Sequence, residues 1–172
     1  MKNAKALWIK VGWSEYYQGG EVNGDYGYIK DEKGNRNDRA AHEKYNFLPN
    51  KNGKYQIYVP PNGKNQSLPF RDDSKAWTVF CLSKNGKNGV QLVGWFENCK
   101  LLEENKSRSE YSSKEGFPLD QDGGDFIYSI TSSEAYLIRP EYRQRIKHPS
   151  LTRSFMYLTG PDIDKEKKRT DI

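Results

Sequence analysis

Four residues come nearest to a reactive set in this chain: Asp72, Asp73, Glu97 and Lys100. A metal-dependent endonuclease uses an acid pair and a lysine of this kind, with the acids holding the cation and the lysine facing the scissile phosphate. Here the spacing is loose and Glu97-x-x-Lys100 is short, so a nuclease stands as the alternative reading. Nucleophilic catalysis lacks its usual setting, since there is no G-x-S-x-G elbow and neither Cys81 nor Cys99 lies in a recognisable catalytic context. No glycine pattern fits a phosphate loop. His42 and His148 are far apart and carry no zinc-type spacing, so no metal or other cofactor is expected. His42-Glu43 reads as structural, with His42 bridging the Tyr45-Asn46-Phe47 turn.

What the sequence does offer is rings and positive charge. Only 34% of the 172 residues are apolar, yet 12 are Tyr, 7 Phe and 4 Trp, so much of the buried area must come from rings with polar tips. The net charge of +5 is unevenly spread. The stretch from Glu103 to Asp125 carries seven acids against three bases, whereas Tyr136 to Gly160 carries five bases against one acid. A local basic field of that kind steers polyanions. Rings that can stack on bases, a basic segment and the lack of a catalytic constellation together favour binding over turnover.

The elements that must position these groups centre on residues 76–102. Trp77 to Leu82 and Val90 to Trp95 are short apolar runs rich in β-branched and aromatic residues, and the turn between them holds two Asn-Gly dipeptides, the signature of a β-hairpin. Further strands are expected at Ala6 to Trp13, Lys54 to Val59, Phe126 to Thr131 and Phe155 to Leu158. Short helices are expected at Arg39 to Tyr45, at Glu134 to Ile138 behind a Ser132 or Ser133 cap, and at residues 140–146 behind Pro140. Residues 14–39 form a glycine- and tyrosine-rich loop, and residues 103–125 an acidic flap. The fold class is α+β, a small curved sheet or partial barrel of five to six strands flanked by short helices. Residues 1–160 make one domain and 161–172 a tail. Cys81 and Cys99 should be reduced core residues. Met1 to Trp13 has no continuous apolar run and no membrane span is present, so a cytoplasmic location is expected.

The order of these pieces resembles the PUA-like superfamily, in particular its YTH and EVE members. The resemblance is carried by the Trp13-Ser14 pair ending the first strand, the hairpin itself, and Val93-Gly94-Trp95-Phe96-Glu97. The chain is also similar to bacterial domains joined to nucleases in modification-dependent restriction systems, through its W-I-x-V-G-W start, its H-E-x-x-N-F stretch and V-G-W-F-x-N. The resemblance implies a PUA-like sheet with an aromatic cage that accepts a flipped, modified base of DNA, acting as sensor for a nuclease on another domain or subunit. By position, Trp13 and Trp95 would be walls of the cage, with Tyr16, Tyr17 and Tyr28 completing it. Ser14 and Asn46 would read the base edge, and Arg139, Arg143, Arg145, Lys147 and Arg153 would meet phosphates.

Overall fold

In the computed structural model, residues 5–19, 41–61, 67–71, 75–84, 89–108, 126–147, 151 and 153–159 are described. Tyr28, Asp72, Asp73, the Asn-Gly turn at 85–88, most of the acidic stretch and the tail from 161 lie outside them.

The central hairpin is present as β3 (Trp77–Lys84) and β4 (Val90–Ser107), paired antiparallel from Trp77 opposite Cys99 to Lys84 opposite Val90. β1 (Lys5–Val11) runs parallel to β3, and β7 (Phe155–Tyr157) closes that side antiparallel to β1. On the other side β5 (Ile127–Ser132) pairs with the far half of β4, and β2 (Tyr55–Ile57) pairs with β5. The result is an open seven-stranded sheet of order β2-β5-β4-β3-β1-β7, with β6 (Glu134–Leu137) paired to the near half of β4.

Period-two alternation decides which side chains are buried. Leu7, Ile9 and Val11 of β1, Val79 and Cys81 of β3, and Phe96, Cys99 and Leu101 of β4 all face one core, which Ile57, Ile130 and Phe47 complete. Phe47 stacks on Phe96 with ring centroids 4.4 Å apart. Both cysteines are free and buried there, as the sequence suggests. Burial pushes the thiol of Cys99 up to about 12, and that of Cys81 well above its ordinary value. Neither is a nucleophile at neutral pH.

Several expectations are corrected. Helix is scarce: among the described residues it is confined to two single 3-10 turns, His42–Tyr45 and Pro140–Tyr142. The helix expected at Glu134 to Ile138 is strand β6, because Ala135 and Leu137 pack on the core while Glu134 and Tyr136 point away, and the backbone pairs with β4. The Ser132 oxygen does take a free N–H, that of Glu134 at 3.0 Å, but it does so at a kink between two strands and donates to the Glu97 carbonyl at 2.5 Å. Beyond Tyr142 the chain is extended, with Arg145 bridged to Gln91. Strand β4 runs on to Ser107, five residues into the stretch read as a flap.

Candidate nucleic-acid interface

Because β1 and β3 are parallel, both end at the same edge of the molecule, at Val11 and Lys84, where β4 begins and β6 finishes. Two segments emerge there. Residues 138–147 run back along the start of β4, held by Ile138 N–H to the Val93 carbonyl and Ile146 N–H to the Val90 carbonyl, each 2.9 Å. Residues 12–19 fold over the core end and are tied to the His42–Tyr45 turn by Gly19 N–H to the Lys44 carbonyl (2.8 Å) and Phe47 N–H to the Tyr17 carbonyl (3.1 Å).

Arg143 clamps the two segments together. Its Nε donates to the Ile138 carbonyl (2.8 Å), Nη1 to the Ser14 carbonyl (2.7 Å) and Nη2 to the Glu15 carbonyl, while its guanidinium carbon stands 4.7 Å from the centre of the Trp13 indole. The side chain is almost fully buried. An arginine spent on three carbonyls has few donors left for a phosphate, so the phosphate-binding role expected of Arg143 gives way to a structural one.

Three other expected site residues are also built into the framework. Tyr17 is fully buried, donates its hydroxyl to the Gly12 carbonyl at 2.6 Å and holds a left-handed backbone (φ 51°), so its ring is core and not an open cage wall. Burial raises its phenol pKa above the ordinary value. Asn46 is buried with its amide committed in both directions to the Tyr58 backbone, donating to the carbonyl at 3.1 Å and accepting the N–H at 2.8 Å. Ser14 is buried, with its carbonyl under Arg143. Tyr28 lies outside the described residues.

Trp13 and Trp95 are placed apart. Trp13 is half-buried and packs against the core cluster. Trp95 precedes Phe96, whose ring is in that core, and so projects from the opposite face of the sheet, where it stacks on Tyr136. Gly94 is explained by the chain itself: a Cβ there would lie 2.4 Å from the Tyr136 carbonyl and 2.8 Å from the Phe47 ring, so the close approach it permits is that of β6. Glu97 accepts the Trp95 indole N–H at 3.1 Å, and Lys100 is exposed.

The remaining cations do converge. Arg145 and Lys147 are exposed beside the first residues of β4, whose other side pairs with β3 up to Lys84. Lys10 lies one residue before the end of β1, with its N–H on the Ser154 carbonyl (2.7 Å), which brings the half-buried Arg153 to the same edge. Burial, and then the charge of Lys84, lower the pKa of Lys10. Exposed Arg139 precedes the Pro140–Tyr142 turn, whose Tyr142 is 68% exposed; Tyr16, on the segment Arg143 clamps, is 52% exposed. Glu15 and Glu141 are the acids among these loops. The arrangement is a cationic rim with two projecting phenols, suited to contact a polyanion and to stack on flat groups.

Sequence reading missed Tyr142, which sits in a run of charges that drew attention to its neighbours. It also missed Arg108, which is buried, donates to the Gln56 carbonyl (2.6 Å) and Asn46 Oδ1 (3.2 Å), and lies in a stretch that composition marks as solvated. His42 accepts the Ile127 N–H at Nδ1 (3.0 Å) and so fastens the start of β5. Comparison with protein-family models, curated proteins and solved structures finds no match to the chain.

Proposed function

We propose that this chain is a nucleic-acid-binding module of PUA-like type that recognises a modified base, methylated or hydroxymethylated, in DNA, and serves as the sensor of a nuclease carried on another domain or subunit. The observation that carries the reading is the convergence of Lys10, Lys84, Arg139, Arg145, Lys147 and Arg153 at the sheet edge where Tyr16 and Tyr142 project. Cations at one edge supply the sequence-independent part of the affinity by releasing counterions. The phenols supply faces for a base taken out of the stack, at ~1–3 kcal/mol per stacked base. A sheet-rich domain is compatible with the PUA-like reading. In its present arrangement Trp13, not Trp95, is the tryptophan next to that edge.

Fluorescence anisotropy with duplexes differing only in one methylated or hydroxymethylated base tests the proposal. The expected result is salt-dependent binding with a preference for one modified duplex. Replacing Arg145 and Lys147 together by Ala should weaken all duplexes alike and reduce the slope of log K against log salt by about 2. Tyr16→Ala should act mainly on the preference. Equal affinity for every duplex would remove the modified base from the reading, and binding that is indifferent to the Arg145/Lys147 change would remove the rim.

A further inference from the structure

The opposite face of the sheet carries a second arrangement, which the basic rim does not use. Register places Trp8, Phe80, Trp95 and Tyr136 side by side across β1, β3, β4 and β6. The row ends in the open: Trp8 is buried, Phe80 and Trp95 are half-buried, and Tyr136 is 42% exposed. Trp95 and Tyr136 are stacked, with centroids 5.0 Å apart and planes within 14°. In the next row on the same face, Glu97 stands directly opposite Glu134.

Each ring is tied to the carboxylate of its own strand. The Trp95 indole N–H donates to Glu97 Oε1 at 3.1 Å, and the Tyr136 hydroxyl donates to Glu134 Oε2 at 3.4 Å. Asn98 fixes Glu134 from the side, its Nδ2 donating to Oε1 at 2.5 Å. The outcome is a square, two rings on one row and two carboxylates on the other.

Like charges directly opposite on a strand pair are destabilising. Among the described residues neither Glu97 nor Glu134 is in an ion pair with a lysine or arginine, although the chain carries 28 of those side chains. The negative potential is felt next door, where Glu97 first, then burial and Glu134, raise the Tyr136 phenol pKa. An acidic pair beside the open face of a phenol, on an otherwise basic protein, is complementary to a planar cation. A guanidinium can lie on the Tyr136 ring and fork onto the carboxylates in one pose. Stacked bases would meet the same rings, but their phosphates would be pushed off by Glu97 and Glu134.

We propose that the Trp95–Tyr136–Glu97–Glu134 square is a docking site for an arginine side chain presented by a partner protein, on the sheet face turned from the core. The inference stands apart from the nucleic-acid reading, since it uses none of the rim residues. A capped peptide of alternating glycine and arginine is the probe, titrated into the 15N-labelled protein while the Trp95 indole and Glu97 and Glu134 amide signals are followed. Saturable shifts confined to this face are expected, with a Kd of about 1 mM or tighter. The pair Glu97→Gln with Glu134→Gln should weaken the peptide at least about tenfold, as should Tyr136→Leu. The Gln pair should keep or raise the thermal midpoint, which separates lost binding from lost fold, and should leave affinity for DNA duplexes unchanged. The proposal is overturned by absence of saturation, by an equal response to a glycine–glutamate peptide, or by an oligonucleotide shifting the Trp95 signals instead. It is also overturned if sedimentation shows a dimer that the Gln pair dissolves, because the face would then belong to a second copy of the chain.

Discussion

Arg143 and Arg145 are two residues apart in one basic run, yet one is a buried clamp and the other an exposed cation. The difference lies in what surrounds them: the Pro140–Tyr142 turn aims Arg143 back across the Ser14 and Glu15 carbonyls, and Arg145 follows on the bridge to Gln91. Removing the clamp leaves the carbonyls of Ser14, Glu15 and Ile138 without their charged donor and uncovers Trp13. Arg143→Ala should therefore lower stability by about 2–4 kcal/mol, the penalty of orphaning buried acceptors. Arg143→Lys should recover less than half of that, because an ammonium cannot span carbonyls from three positions as a planar fork does. Urea denaturation followed by tryptophan emission measures both; full recovery by lysine would show that charge alone, not the fork, is what Arg143 supplies.

At the scale of elements, β4 organises the molecule, because it is the strand that β3, β5 and β6 all use. Its two halves join the two sides of the sheet, and the bend between them needs an irregularity at Asn98, which takes a left-handed backbone (φ 52°) between the pairs Trp77–Cys99 and Val79–Phe96. Asparagine tolerates that conformation better than most non-glycine residues. Four residues earlier, Gly94 lets β6 come down onto β4. Gly94→Ala would set a methyl 2.4 Å from the Tyr136 carbonyl, both groups being backbone-anchored, and should cost about 1–3 kcal/mol by forcing β6 outward. The Trp95–Tyr136 stack should loosen with it, visible as a shift in Trp95 emission; an unchanged midpoint and emission would mean that β6 is not held by this approach.

The same strands show how much of the fold the sequence conveys. β3 and the first half of β4 are legible because β-branched and aromatic runs flank Asn-Gly turns, a local signal. β6 is not: Glu134-Ala135-Tyr136-Leu137 has fair helix propensity and a serine before it, and only pairing with β4 decides otherwise. Likewise Glu103 to Ser107 reads as solvated flap because its charges leave no apolar face, yet β5 pairs with its last two residues. In the site, the run of cations is visible as composition, whereas the commitment of Tyr17, Asn46 and Arg143 to backbone partners 5, 12 and 129 residues away is a tertiary fact with no local trace.

For the whole molecule, the core is the place where titration and stability meet. Cys81 and Cys99 lie in it beside Phe96 and Val79, and burial holds both thiols protonated, Cys99 moving from 9.0 to about 12. In the unfolded chain those thiols ionise near their ordinary value, so above about pH 9 the unfolded state sheds protons that the folded state keeps. Stability is therefore level below that pH and falls as pH climbs towards the folded pKa, by about 1.4 kcal/mol per unit for each thiol. Tyr58, raised to about 12 by burial and then by Glu43, and the buried phenol of Tyr17 add to the decline once the unfolded tyrosines ionise near pH 10. Between pH 8 and pH 10 the unfolding free energy in urea should drop by about 2–3 kcal/mol. Replacing both cysteines by Ala should lower stability overall through the cavities left in the core, yet flatten most of that drop. Iodoacetamide should fail to modify the native protein at pH 8 and react once urea unfolds it. Rapid alkylation of the native state, or an undiminished alkaline decline in the double Ala variant, would show that the thiols are not shielded as this core requires.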